Sequence, residues 1–471
     1  MSDYTLLTLA AKALSINLNE QQYGSIVEIG AGQEVARNFF KVGAAAGTIA
    51  KTSSAYDMAV SDAIYGKGGR YVSRERVEKI LNYEFQLCVE RLEDTREDDT
   101  TFFAYAATVE AKAYKQENEC HGWIGIQFQG GAKQNPPNQV VCHVRMLNKT
   151  NKQQSEALGI LGVNLIYASF HYRHDVNIFI QSLKDNLGDD RIEIDLIHFS
   201  GDHFKDVDNR LASVLLVENW LTRAVMFDNH GNPAVPRDVL YKKPTVVTRG
   251  SFKPPTKAHL DMTECGVRLL SDVAQSNEEQ TVRLAEISMS QLVSEKKIDN
   301  QDFLARVTLA NSLGMHVVLS DYVRYFSLSS WLRRHTNQPI AILIKAIDLP
   351  YVFNDDLYQT LEGGTLEGLG KLFHNDTKVM VYPAFEEGRL MSLSNAPKPE
   401  SLKHIVAQLI QNNQLISIER FSNNVVDISA RETMKMIVAG ESGWEKNLLP
   451  ETIEIMKKNN LYGVNQVTDR G

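Results

Sequence analysis

Five cations, Lys242, Lys243, Arg249, Lys253 and Lys257, lie between Val239 and Leu260 with no acidic residue among them. The whole chain has a formal charge of -8, so this excess is local. Within it, "VVTRGSFKPPTKAHL" passes from an apolar β-branched run through Gly250, Ser251 and two prolines into a helical pattern. A glycine turn from a parallel strand into a helix aims backbone N–H groups and the positive helix end at an anion. Gly250 permits the turn. A protonated His259, with Lys253 and Lys257, would neutralise a polyphosphate. Phosphoryl and nucleotidyl transfer need such positioning and charge stabilisation more than covalent help. The competing reading is a basic solvated edge beside a domain linker, the usual role of a charge run.

The turn needs a strand before it and a helix after it, and the second half of the chain supplies both. "PTVVTRG" reads as a strand, as do "HVVLSDY", "PIAILIKAI", "KVMVYPA" and "LISIERF", separated by helical stretches such as "LEGGTLEGLGKLF" and "LKHIVAQLIQ". The first half has the same style. "WIGIQFQ", "VVCHVRML" and "RIEIDLIHF" read as strands. "SEALGILGVNLIYASF" reads as a buried helix, and "DVNIFIQSLKDNL" and "DNRLASVLLVENWL" as further helices. Alternating strands and helices predict α/β architecture with at least partly parallel pairing. Three prolines, Pro233, Pro236 and Pro244, and turn residues at 232–244 place a boundary near residue 240. The expectation is a mixed α/β domain over 1–240 and a Rossmann-like domain with a parallel sheet over 241–471.

The order of residue types in "GSFKPPTKAHL" resembles the phosphate-binding turn of cytidylyltransferase-like nucleotidyltransferases, in particular the nicotinamide or nicotinate mononucleotide adenylyltransferases. Gly250, Ser251, Phe252, Pro254, Pro255, Thr256 and His259 match that turn, and Ala258 replaces its glycine. A second stretch, "DISARETMKMIVAG…LLPETIEIMKKNNLYG", resembles the family's later signature at Ile428, Ser429, Leu449, Pro450, Ile453, Leu461 and Tyr462. There Arg431 stands for the family threonine and Met434 for its arginine. "ILIKAIDLPYVF" places Lys345 where the family has Gly-Ala-Asp, and a helical insertion is expected near 277–313. The whole chain is also similar to bacterial proteins that carry the label nicotinate-nucleotide adenylyltransferase or TonB-dependent receptor. The second label conflicts with the missing export signal and the missing barrel alternation.

The resemblance implies that MgATP binds at Arg249, Gly250, Ser251, Phe252, Lys253, Thr256 and Ser429. It implies that His259, Lys257 and Arg431 act on the phosphates while a mononucleotide phosphate attacks. Two functions follow. One is transfer of AMP from MgATP to a mononucleotide phosphate, with release of pyrophosphate. The other is a non-catalytic nucleotide-binding or self-assembling protein, which the substitutions at Ala258, Arg431 and Met434 favour.

Other constellations are weaker. "IVEIGAGQEV" has the Glu-x-Gly-x-Gly order of a cofactor turn but lacks a third glycine, so a plain strand-to-helix turn is the stronger reading. "GAAAGTIAKT" has a superficial P-loop look, with Lys51 displaced, and reads instead as helix packing. Cys120, His121, Cys142 and His143 fall on strands, where neighbours point to opposite faces, so no metal site is expected. His198, Asp202, His203, Asp206 and Asp208 follow a buried strand and form either a ligand site or a helix cap. Small residues from Val42 to Ala63 permit close helix contacts and predict a homo-oligomer.

Bulk composition narrows the class. At 43% hydrophobic and 23% charged, 471 residues can bury two cores. The acidic balance disfavours nucleic acid. Four scattered cysteines without CxxC fit a reducing compartment. Without a basic leader or a long apolar run, the expectation is a cytoplasmic protein with no membrane partner.

Overall fold

The computed structural model describes residues 4–96, 99–112, 119–130, 136–294 and 297–464. The chain divides into two compact units, Met1–Thr222 and Arg223–Gly471.

The first unit is built from strands β1 (Gln22–Gly30), β2 (Ile49–Ser53), β3 (Thr101–Val109), β4 (Cys120–Phe128), β5 (Asn138–Met146) and β6 (Ile192–Ser200). Its helices are α1 (Leu9–Asn17), α2 (Val35–Val42), α3 (Met58–Tyr65), α4 (Arg74–Leu92), α5 (Asn151–His171), α6 (Val176–Ser182) and α7 (Asn209–Glu218). The sheet order is β2-β1-β3-β4-β5-β6. β1 runs parallel to β2 and β3, while β3 to β6 pair antiparallel. Among the described residues no helix lies between β3, β4 and β5, and strands joined without a crossover pair antiparallel. α5 covers the face carrying Phe103 and Tyr105, with Phe170 edge-on to Phe103. α4 covers the opposite face, where Cys88 meets Ser25 and Leu81 lies against Gly125. The small-residue stretch 42–63 is not one helix. It breaks into a 3-10 turn at Ala45–Gly47, the edge strand β2 and α3, so it presents no continuous helical face for self-association.

The second unit begins with β7 (Ala224–Phe227), β8 (Pro233–Ala234) and α8 (Pro236–Leu240). β7 pairs antiparallel with a strand of the second sheet, which moves the boundary ahead of the proline-rich segment near 240. Then follow β9 (Thr245–Arg249), α9 (Lys257–Ala274), β10 (Val282–Ser288), the hairpin β11 (Val293–Ser294) and β12 (Lys297–Ile298), and α10 (Asn300–Asn311). Next come β13 (His316–Ser320), α11 (Tyr325–Arg333), β14 (Ile340–Lys345), α12 (Leu349–Val352), α13 (Gly364–Leu372) and β15 (Thr377–Tyr382). The unit closes with the hairpin β16 (Ala384–Glu386) and β17 (Arg389–Met391), α14 (Lys403–Gln411), β18 (Leu415–Ser417), α15 (Ala430–Ala439) and α16 (Pro450–Lys458).

The sheet order is β18-β15-β14-β9-β10-β13-β7-β8, parallel from β18 to β13. By appearance in this unit the parallel strands stand sixth, fifth, fourth, first, second, third. That is the doubly wound Rossmann order, whose direction reverses between β9 and β14. The expected helical insertion at 277–313 is corrected. β10 occupies part of it as a central strand, because "VRLAEIS" is buried on both faces and its charges are paired. α9 packs on the face presenting Val246, Ala341 and Leu343. Val247, Leu284, Val318 and Ile342 form the core on the other face.

Candidate functional site

In doubly wound sheets, ligands bind beyond the carboxyl ends of the strands where the order reverses. Here that place lies between Arg249, which ends β9, and Lys345, which ends β14. The 250–256 turn crosses it and delivers the N-terminus of α9.

The turn is held tightly. Phe252 is wholly buried with φ +49°, a left-handed conformation that costs a non-glycine residue roughly 1–2 kcal/mol. Its ring packs on His259, centroids 4.9 Å apart. Thr256, also wholly buried, precedes α9. Its backbone N–H donates to His259 Nδ1 at 3.1 Å, and its hydroxyl lies 2.9 Å from the same nitrogen. A nitrogen that accepts a backbone N–H carries no proton, so the hydrogen of the neutral ring sits on Nε2. Nε2 has no hydrogen bond within the described residues and faces Gly250, where a Cβ would stand 3.5 Å from it.

His259 is 8% exposed, and burial together with the charge of Lys345 pushes its pKa down to about 3. The expectation of a protonated His259 is therefore corrected. At neutral pH it offers an N–H donor without a positive charge.

The local cation excess also resolves differently in space. Lys242 and Lys243 precede β9 and sit at the opposite end of the strand from the turn, about 17 Å away at 3.3 Å per residue. Arg249 is bound twice by the buried Glu286 carboxylate and donates to the Tyr322 and Val323 carbonyls. Lys253 pairs with Asp302 at 2.8 Å and lies over the Tyr462 ring. Lys257 donates to the Lys446 carbonyl at 2.7 Å, a contact that leaves its charge unneutralised. The Ser251 carbonyl accepts from Arg306 at 3.3 Å. Ala258 is buried.

From the second signature, Ser429 caps α15 by accepting the Glu432 N–H at 3.3 Å. Arg431 is exposed on the first turn of α15, with no hydrogen bond or ion pair among the described residues. The structure brings Gly250, Thr256, Lys257 and His259 together at the switch point. It gives Arg249, Phe252 and Lys253 supporting contacts within the fold.

Sequence reading missed Lys345 as a member of this group. The available signal was a lysine closing the otherwise apolar strand "IAILIK". Among the described residues, no cluster of three or more His, Cys, Asp or Glu side chains could hold a metal ion.

In the first unit, the turn after β1 supplies its own anion. The buried Glu28 carboxylate accepts the Val35 and Ala36 N–H groups at 2.9 and 3.1 Å, filling the N-terminus of α2. His143 bridges His121 at 3.1 Å and Asp195 at 2.5 Å, while Cys142 is buried. Asp208 caps α7 by accepting the Arg210 N–H, and His203 Nε2 lies 2.9 Å from the Gly130 carbonyl. Burial leads a set of effects that push the pKa of His198 down to about 4. All four cysteines are buried and unpaired.

No family model matches the chain, and neither does any curated protein. Among solved structures, it is similar to the competence/damage inducible protein CihA from Agrobacterium tumefaciens. That likeness has 15% identity and a TM-score of 0.25, covering 36% of this chain and 98% of that one. It is also similar to the Plasmodium falciparum nicotinic acid mononucleotide adenylyltransferase, solved with APC and with NaAD. Here the identity is 16% and the TM-score 0.27, covering 48% of this chain and 99% of that one. A nicotinate-nucleotide adenylyltransferase structure from Vibrio parahaemolyticus shows 12% identity and a TM-score of 0.20, covering 47% and 95%. No helix among the described residues is long and apolar enough to cross a membrane.

Proposed function

We propose that the second unit is a nucleotide-binding unit that takes a phosphate of its ligand over Gly250, at the N-terminus of α9. The observation that carries this reading is the unpartnered Nε2–H of the buried His259, held by Thr256 and aimed at Gly250 where the strand order reverses. A phosphate oxygen at this helix end supplies the acceptor that the N–H lacks among the described residues. Lys257 and the peptide groups that open α9 add favourable charge. The ligand class is a nucleotide, with MgATP the form that the resemblance of the turn implies.

Binding without turnover is the reading these contacts favour. Arg249 and Lys253 are committed to Glu286 and Asp302, and Met434 stands where the resembled family has its phosphate-bridging arginine. In the catalytic alternative, an oxygen of a mononucleotide phosphate bonds to the α-phosphorus of MgATP. The bond from that phosphorus to the bridging oxygen breaks, and pyrophosphate leaves with the electron pair. Lys257 and the His259 N–H are the groups available to stabilise it.

Thermal unfolding with MgATP, ADP and pyrophosphate tests the binding reading. Ligand at about 100 times its Kd adds roughly 2.7 kcal/mol, a rise of roughly 5–11 °C for a unit of this size. No rise and no calorimetric heat with any of the three would end it. Release of pyrophosphate from MgATP in the presence of nicotinamide or nicotinate mononucleotide would select the catalytic alternative.

A further inference from the structure

The loop lysines and arginine that mark this segment in sequence are mostly spent on internal partners, which leaves open which cation meets the phosphate. β14 pairs with β9 so that Leu343 stands opposite Thr248. Continued by two residues, that register sets Lys345 level with Gly250. On its other side, Lys345 stands opposite Tyr382 of β15. The Leu343 side chain faces α9, where a Cβ on Gly266 would lie 2.6 Å from its Cδ2. Side chains two residues apart share a face, so Lys345 points toward the first turn of α9. Its charge reaches His259 there and lowers the basicity of the ring.

Lys345 is half-buried and makes no hydrogen bond or ion pair among the described residues. The charged and titratable groups around it are few. On α9 they are the neutral His259 and Asp261, whose carboxylate accepts the Tyr382 hydroxyl at 2.6 Å and the Ser422 N–H at 3.1 Å. On the 3-10 turn after β14, Asp348 acts on Lys345 through space without forming an ion pair. Arg249 projects from the opposite face of the sheet, toward Glu286 and Tyr325. Burial holds the lysine pKa below its ordinary value, the response of a desolvated cation that lacks a close counter-ion.

We propose that Lys345 is a direct ligand of the phosphoryl group that sits over Gly250, completing a site with the His259 Nε2–H and the N-terminus of α9. This rests on the phosphate-binding reading above. It adds a cation from a separate strand, and it makes binding proton-linked. An anion beside the amine raises its pKa, so above the depressed pKa of the free protein the complex takes up a proton.

The test is calorimetric titration of the full chain with inorganic pyrophosphate. It is run from about neutral pH to about pH 10, in buffers of contrasting ionisation enthalpy, on the unaltered protein and on Lys345→Met. The unaltered protein is expected to bind with proton uptake that grows toward alkaline pH. Loss of one charge-assisted contact should weaken binding roughly 10- to 100-fold in Lys345→Met and abolish that uptake. Removing a half-buried cation without an ion-pair partner should leave the melting temperature unchanged or raised. Equal affinity in the two proteins would overturn the role of Lys345 while leaving the phosphate site standing. Heats independent of buffer in the unaltered protein would do the same without relying on the variant. No binding by the unaltered protein would remove the phosphate reading itself and Lys345 with it.

Discussion

The charge state of His259 sets a specific dependence of stability on pH. Its ring is neutral in the fold, with a pKa of about 3 against an ordinary 6.5. Above pH 6.5 neither folded nor unfolded chain protonates it, and it has no effect. Below that value the unfolded chain takes a proton that the folded chain refuses, so stability falls with pH until the folded group also titrates. At about 1.36 kcal/mol per unit, the loss is roughly 2–3 kcal/mol by pH 4.5, with a ceiling of about 5 kcal/mol near pH 3. Other histidines with a lowered pKa, the half-buried His198 among them, contribute in the same sense. The difference between the unaltered protein and His259→Asn isolates one residue. Asparagine can still accept the Thr256 N–H through Oδ1 but does not titrate. Urea unfolding at pH 7 and pH 4.5 should therefore show the variant losing roughly 2–3 kcal/mol less on acidification, although it starts somewhat less stable from lost packing against Phe252. Parallel losses in the two proteins would mean that His259 is protonated in the fold, and its description as a neutral donor would be wrong.

Three other substitutions probe how the site and its scaffold are held. Glu286→Gln should destabilise the second unit by about 3–5 kcal/mol in chemical denaturation, because it removes the buried carboxylate charge that is set against the largely buried Arg249 guanidinium. Gly266→Ala should cost about 1–3 kcal/mol in thermal unfolding, since its methyl would meet Leu343 at 2.6 Å. Glu28→Ala should destabilise the first unit by about 1–3 kcal/mol, leaving two N–H groups of α2 without their acceptor, as hydrogen exchange at Val35 and Ala36 would register.

Local pattern was enough to establish the α/β class and the strand–turn–helix at 245–274. A β-branched run, a glycine turn with prolines and an amphipathic helix depend on near neighbours alone, and so do the caps at Asp208 and Ser429. Tertiary structure decided what the sequence displays only as a linear list. The five cations look like one patch, yet β9 carries Lys242 and Lys243 to one end of the sheet and the turn to the other, and Glu286 and Asp302 engage two of the rest. β10 was hidden because its charges, Arg283 and Glu286, find partners on α9 and β9 that no local window contains. The helix end beside "EIGAGQEV" is filled by Glu28 from the same segment, a fact that depends on how the chain folds back over its own turn. The charge of His259 follows from burial, and the placement of Lys345 beside the turn follows from the pairing of β14 with β9. Both are set by chain segments far apart in sequence, which is why residue type and spacing identified the turn while only packing settled what it presents to a ligand.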